Sequence, residues 1–184
     1  MIGVLVSGAG TNLQALIDDG LPVAAVASNK PGVPALERAS RAEIPSAVFR
    51  LEDHESREER DRAMGWWLVE QGCEVVVCAG YMHLLTKTFL DLFPERVINL
   101  HPSLLPAFPG TRAIADALES GVVETGVTVH IVDEGVDTGP VLAQERIPIV
   151  PGDTVETLAN RIHAAEHRVL PAAVRSYFRP GVRA

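Results

Sequence analysis

Apolar residues along this chain follow two rhythms. Short unbroken runs rich in Val, Ile and Ala occur at IGVLVS, PVAAVAS, SAVF, EVVVCAG and RVINL. A strand that is apolar on both faces belongs in a parallel sheet covered on both sides. Between these runs the apolar spacing changes to three and four, which predicts helices over 11–19, 33–41, 56–71 and 87–92. Ser56, followed three residues later by Glu59, gives the third helix a capping-box start. Strands alternating with helices in this way predict an α/β fold, an open and mostly parallel twisted sheet with helices on both faces.

Beyond Gly126 the rhythm shifts. VTVHIV alternates, DEGVDTG has turn chemistry, and PVLAQERIPIV runs extended with Pro148 suited to an edge. This predicts an antiparallel edge addition in the C-terminal third. The run GDTVETLANRIHAAEHRVL then reads as a helix capped by Asp153 or Thr154, with Val155, Leu158, Ile162, Ala165 and Val169 as its apolar stripe. No repeat, linker or low-complexity segment interrupts the chain, and 184 residues suit a single domain over 1–184. The tail RPGVRA is expected to fray.

Charge narrows the partners. A net charge of −8 argues against a broad nucleic-acid footprint, because phosphate backbones attract basic surfaces. A phosphorylated small molecule stays admissible, since a cluster of backbone N–H groups can hold an anion. The opening MIGVLVSGAG has no basic leader or cleavage site and is too short to span a bilayer, so a cytoplasmic location is expected. Cys73 and Cys78, the only two cysteines, flank one short apolar run. Opposite ends of a strand are too far apart to bridge, so both are expected as buried free thiols.

The chemistry concentrates in a few places. In VINLHPSLLPAFPG, Asn99 and His101 stand two apart on a strand and project to one face, and Pro102 ends the strand just after them. The carboxyl edge of such a sheet is where ligands bind. A core Asn satisfied by backbone and a His packed under the loop is the alternative. In SGAGTNLQ, Gly8 and Gly10 permit a tight turn into a helix that starts at Thr11 or Asn12, a geometry suited to a phosphate. A plain βα turn fits the same residues. The third glycine of the dinucleotide fingerprint is absent, and ASNK stands where a ribose-binding carboxylate would be, so an NAD site is a poor fit. In DEGVDTGP, Asp137 is the carboxylate that could sit beside His101 and favour its imidazolium form. HAAEH at 163–167 has the spacing of a zinc-peptidase helix, but no ligand follows His167, so zinc is not expected there.

SGAGTNLQALID, AGYMHLLT, VINLHPSLLPAFPG and VHIVDEGVDTGPVLAQ together resemble the phosphoribosylglycinamide formyltransferase family, over nearly the whole chain. The resemblance implies a Rossmann-like formyltransferase fold. It also implies transfer of a formyl group from 10-formyltetrahydrofolate to the amine of 5-phosphoribosylglycinamide, giving formylglycinamide ribonucleotide and tetrahydrofolate in de novo purine synthesis. Asn99, His101 and Asp137 take the places of the family's catalytic trio. Gly10, Thr11 and Asn12 match its phosphate turn, with Thr11 where relatives often have Ser. His163 and Glu166 match the segment that contacts the ribonucleotide, although some relatives have Gln at the first position. Arg57, Met82, His83, Leu84, Leu85 and Asn99, with Asp133, Glu134, Gly135, Val136 and Asp137, match the folate contacts.

The resemblance implies no metal, no nucleic-acid or membrane partner, and a monomer or homodimer. The Asn-x-His-Pro-Ser-Leu-Leu-Pro block is shared with methionyl-tRNA formyltransferase and formyltetrahydrofolate hydrolase. GTNLQ favours the glycinamide enzyme over the tRNA enzyme, and the further domain that each of those relatives carries is not expected here. A hydrolase sending formate to water and a non-catalytic folate or nucleotide sensor remain the rival readings. One departure stands out: relatives commonly carry a His soon after the Pro-Gly, where this chain has Arg112 in a segment expected to be mobile.

Overall fold

A computed structural model describes residues 1–178. The expected fraying of 179–184 lies outside the described residues. The chain divides into two compact units, Met1–Asn99 and Leu100–Ala184. Among the described residues there are seven strands and six α-helices.

The first unit holds β1 (Ile2–Val6), α1 (Thr11–Asp18), β2 (Val23–Ser28), α2 (Pro34–Arg41), β3 (Ser46–Val48), α3 (Arg57–Glu70), β4 (Val75–Cys78) and α4 (Lys87–Leu90). β5 (Val97–His101) begins in it. The strands run parallel in the order β3-β2-β1-β4-β5. Every residue of β1 and β4 is buried, as unbroken apolar runs require. Ile2, Val4 and Leu5 of β1, Leu13 and Leu16 of α1, and Met64 and Leu68 of α3 all have zero exposure. Side chains of this kind each contribute about 1.5–3 kcal/mol on full burial. From β1 the chain winds outward through β2 to β3, then returns to lay β4 on the other side of β1. That reversal makes the carboxyl ends of β1 and β4 the topological switch point, where ligands bind in this class of sheet.

Cys73 and Cys78 are buried free thiols, as expected. Burial pushes Cys73 up to about 11 and, helped by the negative charge of Asp61, Cys78 up to about 12. The capping box of α3 forms only in part. Ser56 Oγ accepts the Glu59 N–H at 3.1 Å, while the Glu59 carboxylate takes the N–H of Glu55 instead of Ser56.

The second unit holds α5 (Ala113–Ser120), β6 (Glu124–Ile131), β7 (Val141–Pro148) and α6 (Val155–Tyr177). β6 and β7 pair antiparallel, the expected addition, and β7, with half of its residues exposed, ends at Pro148. Two differences from the sequence reading have physical causes. The segment expected as a mobile loop forms α5, because Ala113 and Ala117, one turn apart, are buried and Gly121 in the left-handed conformation caps the end. α6 does not stop before Pro171 but runs through it, since Leu170, Pro171, Ala173 and Val174 are all buried. Its buried stripe accordingly keeps Leu158, Ile162 and Ala165 but continues through Glu166 and Leu170. Val169 is only half-buried, and Val155 at the open first turn is 50% exposed. Thr154, not Asp153, caps α6 through a reciprocal pair of bonds with Thr157. Asp153 accepts from Arg161 instead. No described helix is long and apolar enough to cross a membrane.

Candidate active site

In the first unit, the turn between β1 and α1 is a glycine turn by necessity. Gly10 caps α1 in the left-handed conformation at φ 71°, with no side-chain cap on the first turn. A Cβ there would meet Ala35 Cβ of α2 at 2.6 Å. Thr11 is exposed and Asn12 buried at the helix start. A helix N-terminus opening from such a turn suits an anion.

The second strand end of the switch point leads into the 82–85 loop, which is anchored at three places. The Met82 N–H donates to Ser7 Oγ at 2.9 Å, and Ser7 in turn donates to Asn29 Oδ1 at 2.6 Å. Arg57 Nη2 donates to the Leu84 carbonyl at 2.7 Å. Asp61 Oδ2 accepts the Thr86 N–H at 2.7 Å, while its other oxygen accepts both Nε and Nη2 of Arg60. Arg60 and Asp61 are wholly buried. These anchors hold up Met82 and Leu84, which are 65% and 56% exposed, with His83 and Leu85 half-buried beside them. Burial, followed by the positive charges of Arg60, Arg57 and Lys30, lowers the pKa of His83. Ser7, Asn29, Arg60 and Asp61 are absent from the sequence reading. The signal available was polar residues closing apolar strands, in LVSG and VASN, and an Arg-Asp pair on the sheet-facing side of a helix.

In the second unit, His101 at the end of β5 is buried, and its Nδ1 lies 3.3 Å from Asp137 Oδ2. Its Nε2 bonds the Phe108 carbonyl at 2.8 Å. A carbonyl and a carboxylate both only accept, so this arrangement is satisfied when both ring nitrogens carry hydrogen, which is the imidazolium. Asp137 also accepts the Gly110 N–H at 2.9 Å, and His130 Nε2 stands 3.6 Å from its other oxygen. The nearby His130 ring nitrogen, the Gly110 amide and the charges of both imidazoles outweigh burial and lower Asp137 to about 2. His130 is a site residue that sequence reasoning missed, because a His within VTVHIV reads as strand packing.

Asp137 adopts φ 55°, a left-handed conformation that Asp tolerates better than most residues. Next to it the turn requires glycine at 139, where a Cβ would come within 1.9 Å of the Ile131 carbonyl. Asp133 is used locally, accepting from the Gly135 N–H and the Thr138 hydroxyl. Asp133, Glu134, Gly135 and Val136 are exposed.

On α6, His163 Nδ1 pairs with buried Glu166 at 2.9 Å, and that bond raises the His163 pKa. Among the described residues no group of three or more His, Cys, Asp and Glu is placed to hold a metal ion. Arg112 is spent on its own helix, reaching Asp116 Oδ1 at 3.1 Å and Glu119 Oε1 at 2.9 Å.

The formyl transferase family model matches residues 1–174. Phosphoribosylglycinamide formyltransferase of Mycobacterium tuberculosis is 45% identical, over 97% of this chain and 85% of that protein. The trifunctional purine biosynthetic protein adenosine-3 is 47% identical in Chironomus tentans and 43% in Homo sapiens, and the chain spans only 13% and 18% of those lengths. The crystal structure of glycinamide ribonucleotide transformylase 1 from Symbiobacterium toebii superposes with a TM-score of 0.94 at 46% identity, covering 96% of this chain and 86% of that one. That of phosphoribosylglycinamide formyltransferase from Streptococcus pneumoniae superposes at 0.93 and 39% identity, covering 97% and 98%. With fold, strand-end chemistry and sequence in agreement, the chain belongs to the formyl transferase family, among its phosphoribosylglycinamide formyltransferases.

Proposed function

We propose that the protein transfers the formyl group of 10-formyltetrahydrofolate to the amine of 5-phosphoribosylglycinamide. The amine attacks the formyl carbon, the new C–N bond forms, and a tetrahedral oxyanion develops. As the bond to the folate nitrogen breaks, the proton lost by the amine passes to that nitrogen, leaving tetrahydrofolate. The observation that carries this reading is the His101–Asp137 pair, with Nδ1 of the buried ring 3.3 Å from the carboxylate and Nε2 on a carbonyl. With both ring nitrogens engaged, an imidazolium there stabilises an oxyanion through its charge, and donates to it once Nε2 turns from the Phe108 carbonyl to the substrate oxygen; the Asn99 amide is assigned as a second donor. Removing one such donor typically costs about 10²–10³ in rate.

The remaining assignments follow the family motif. Gly10, Thr11 and Asn12 take the phosphate, and His163 and Glu166 take the ribonucleotide. The folate is assigned to Arg57, Met82, His83, Leu84, Leu85, Asn99, Asp133, Glu134, Gly135, Val136 and Asp137. The reaction as written routes no step through a metal and no covalent enzyme intermediate. Both partners are small molecules, the location assigned is the cytoplasm, and the whole of 1–184 is assigned to one functional domain.

Incubation with both substrates, following folate deformylation by absorbance and the acceptor by mass, tests the proposal. The expected result is formylated glycinamide ribonucleotide in step with tetrahydrofolate. Formate released at the same rate with or without the acceptor would establish a hydrolase instead. Tight folate binding with no turnover would favour the sensor.

A further inference from the structure

The glycine turn of the first unit is held from behind by α2, and Arg38 is the side chain that holds it. The Gly8 carbonyl accepts the Ala35 N–H at 3.1 Å. The next carbonyl, of Ala9, accepts Arg38 Nε–H at 2.9 Å. In a trans peptide the C=O and the following N–H point in opposite directions. Tying the carbonyls of Gly8 and Ala9 to α2 therefore turns the N–H groups of Ala9 and Gly10 away from α2. Gly10 completes the turn at φ 71°, with Ala35 packed where its Cβ would be.

Arg38 is itself held in place. Its Nη1 donates to Gln14 Oε1 at 3.2 Å, and the Gln14 amide donates to Asp18 Oδ1 at 2.8 Å. Arg38 as a residue is half-buried, and the chain Asp18–Gln14–Arg38–Ala9 braces α1 and α2 around the turn between them.

We propose that Arg38 is a positioning residue for the phosphate end of the ribonucleotide. It fixes the direction of the turn's amides and sets a positive charge behind them. This rests on the assignment of Gly10, Thr11 and Asn12 to the phosphate. An anion-binding cluster of N–H groups works only while its peptides keep one orientation, and a charge-assisted bond to a carbonyl maintains that orientation more strongly than a neutral one. Arg38 acts through the backbone and does not touch the substrate.

The test compares wild type with Arg38→Met, which keeps the apolar stem and removes the donors. Each is assayed with 5-phosphoribosylglycinamide and with its dephosphorylated riboside at saturating folate. In Arg38→Met, kcat/KM for the phosphorylated substrate is expected to fall about tenfold, through KM with kcat nearly held. The ratio between the two substrates narrows by the same factor, and inorganic phosphate weakens equally as a competitive inhibitor. KM for the folate stays at its wild-type value. If Arg38→Met does not fold, Arg38→Lys carries the same measurement, with a loss of about threefold because one donor is kept. An unchanged substrate ratio overturns the proposal. So does an equal loss for both substrates with kcat falling. A wild-type enzyme that does not distinguish the two substrates removes the phosphate assignment itself, a separate and recognisable failure.

Discussion

Two imidazoles and a backbone amide surround the single carboxylate of Asp137. Asparagine there would still accept from Gly110 but could not balance a charged His101. Asp137→Asn is therefore expected to lower kcat by about 10²–10³ while the thermal midpoint shows the fold retained. The depressed carboxyl also sets a pH window. Its value falls from an ordinary 3.8 to about 2, so its contribution is complete above the ordinary value and disappears as pH falls towards 2. The stability difference between wild type and Asp137→Asn, measured in urea, should stay level from neutral pH down to about 5. It should close below that by on the order of 1–2 kcal/mol, allowing for solvent screening. A difference that shrank already between pH 7 and 5 would mean another group was responsible. Asn99, His101 and Asp137 stood out in the sequence as candidates because polar residues at a strand end and in a glycine-rich turn break the apolar pattern, and the structure brings His101 and Asp137 together. His130 did not, because burial within an alternating strand hides a ring that faces a carboxylate behind the same pattern that packing produces.

Among the elements, the β1–α1 turn and the 82–85 loop depend on contacts that local pattern does not encode. Gly10→Ala forces a side chain onto Ala35 in a left-handed backbone, which should cost about 1–3 kcal/mol in urea unfolding. Combining it with Ala35→Gly should recover only part of the steric cost, because the Ala35 Cα stays 2.7 Å from the new Cβ, and the double-mutant cycle should show a small positive coupling. At the loop, Asp61→Asn leaves the fully buried Arg60 guanidinium without a counter-charge. The expected loss is about 3–5 kcal/mol, with a rise in KM for the folate as the Thr86 end of the loop loosens. Loss of stability with folate KM unmoved would separate the pair from the loop. The elements themselves were mostly legible. Four helices and five strands of the parallel part follow directly from apolar spacing. α5 was missed because PGTRAIADAL begins with loop residues and buries only two alanines. α6 was cut short because Pro171 normally ends a helix, and only tertiary burial of its last turns overrides that signal.

For the molecule as a whole, a charge of −8 fits the proposed reading, in which oriented amides and not a basic surface take an anionic small molecule. Fold class was readable because alternation of strand and helix is a property of the entire sequence. Much of the site was readable only through its motifs, since side chains far apart in sequence are brought together by topology and not by spacing. The thiols of Cys73 and Cys78 carry a consequence for measurement. Sealed in the first unit and pushed to about 11 and about 12, neither is nucleophilic while that unit is closed. A disulfide-exchange dye should thus colour the protein only as fast as the Met1–Asn99 unit opens, adding two equivalents per chain. Rapid colour in native buffer would show that the unit breathes, and a dye signal slowed by added ribonucleotide would time that opening without any engineered label.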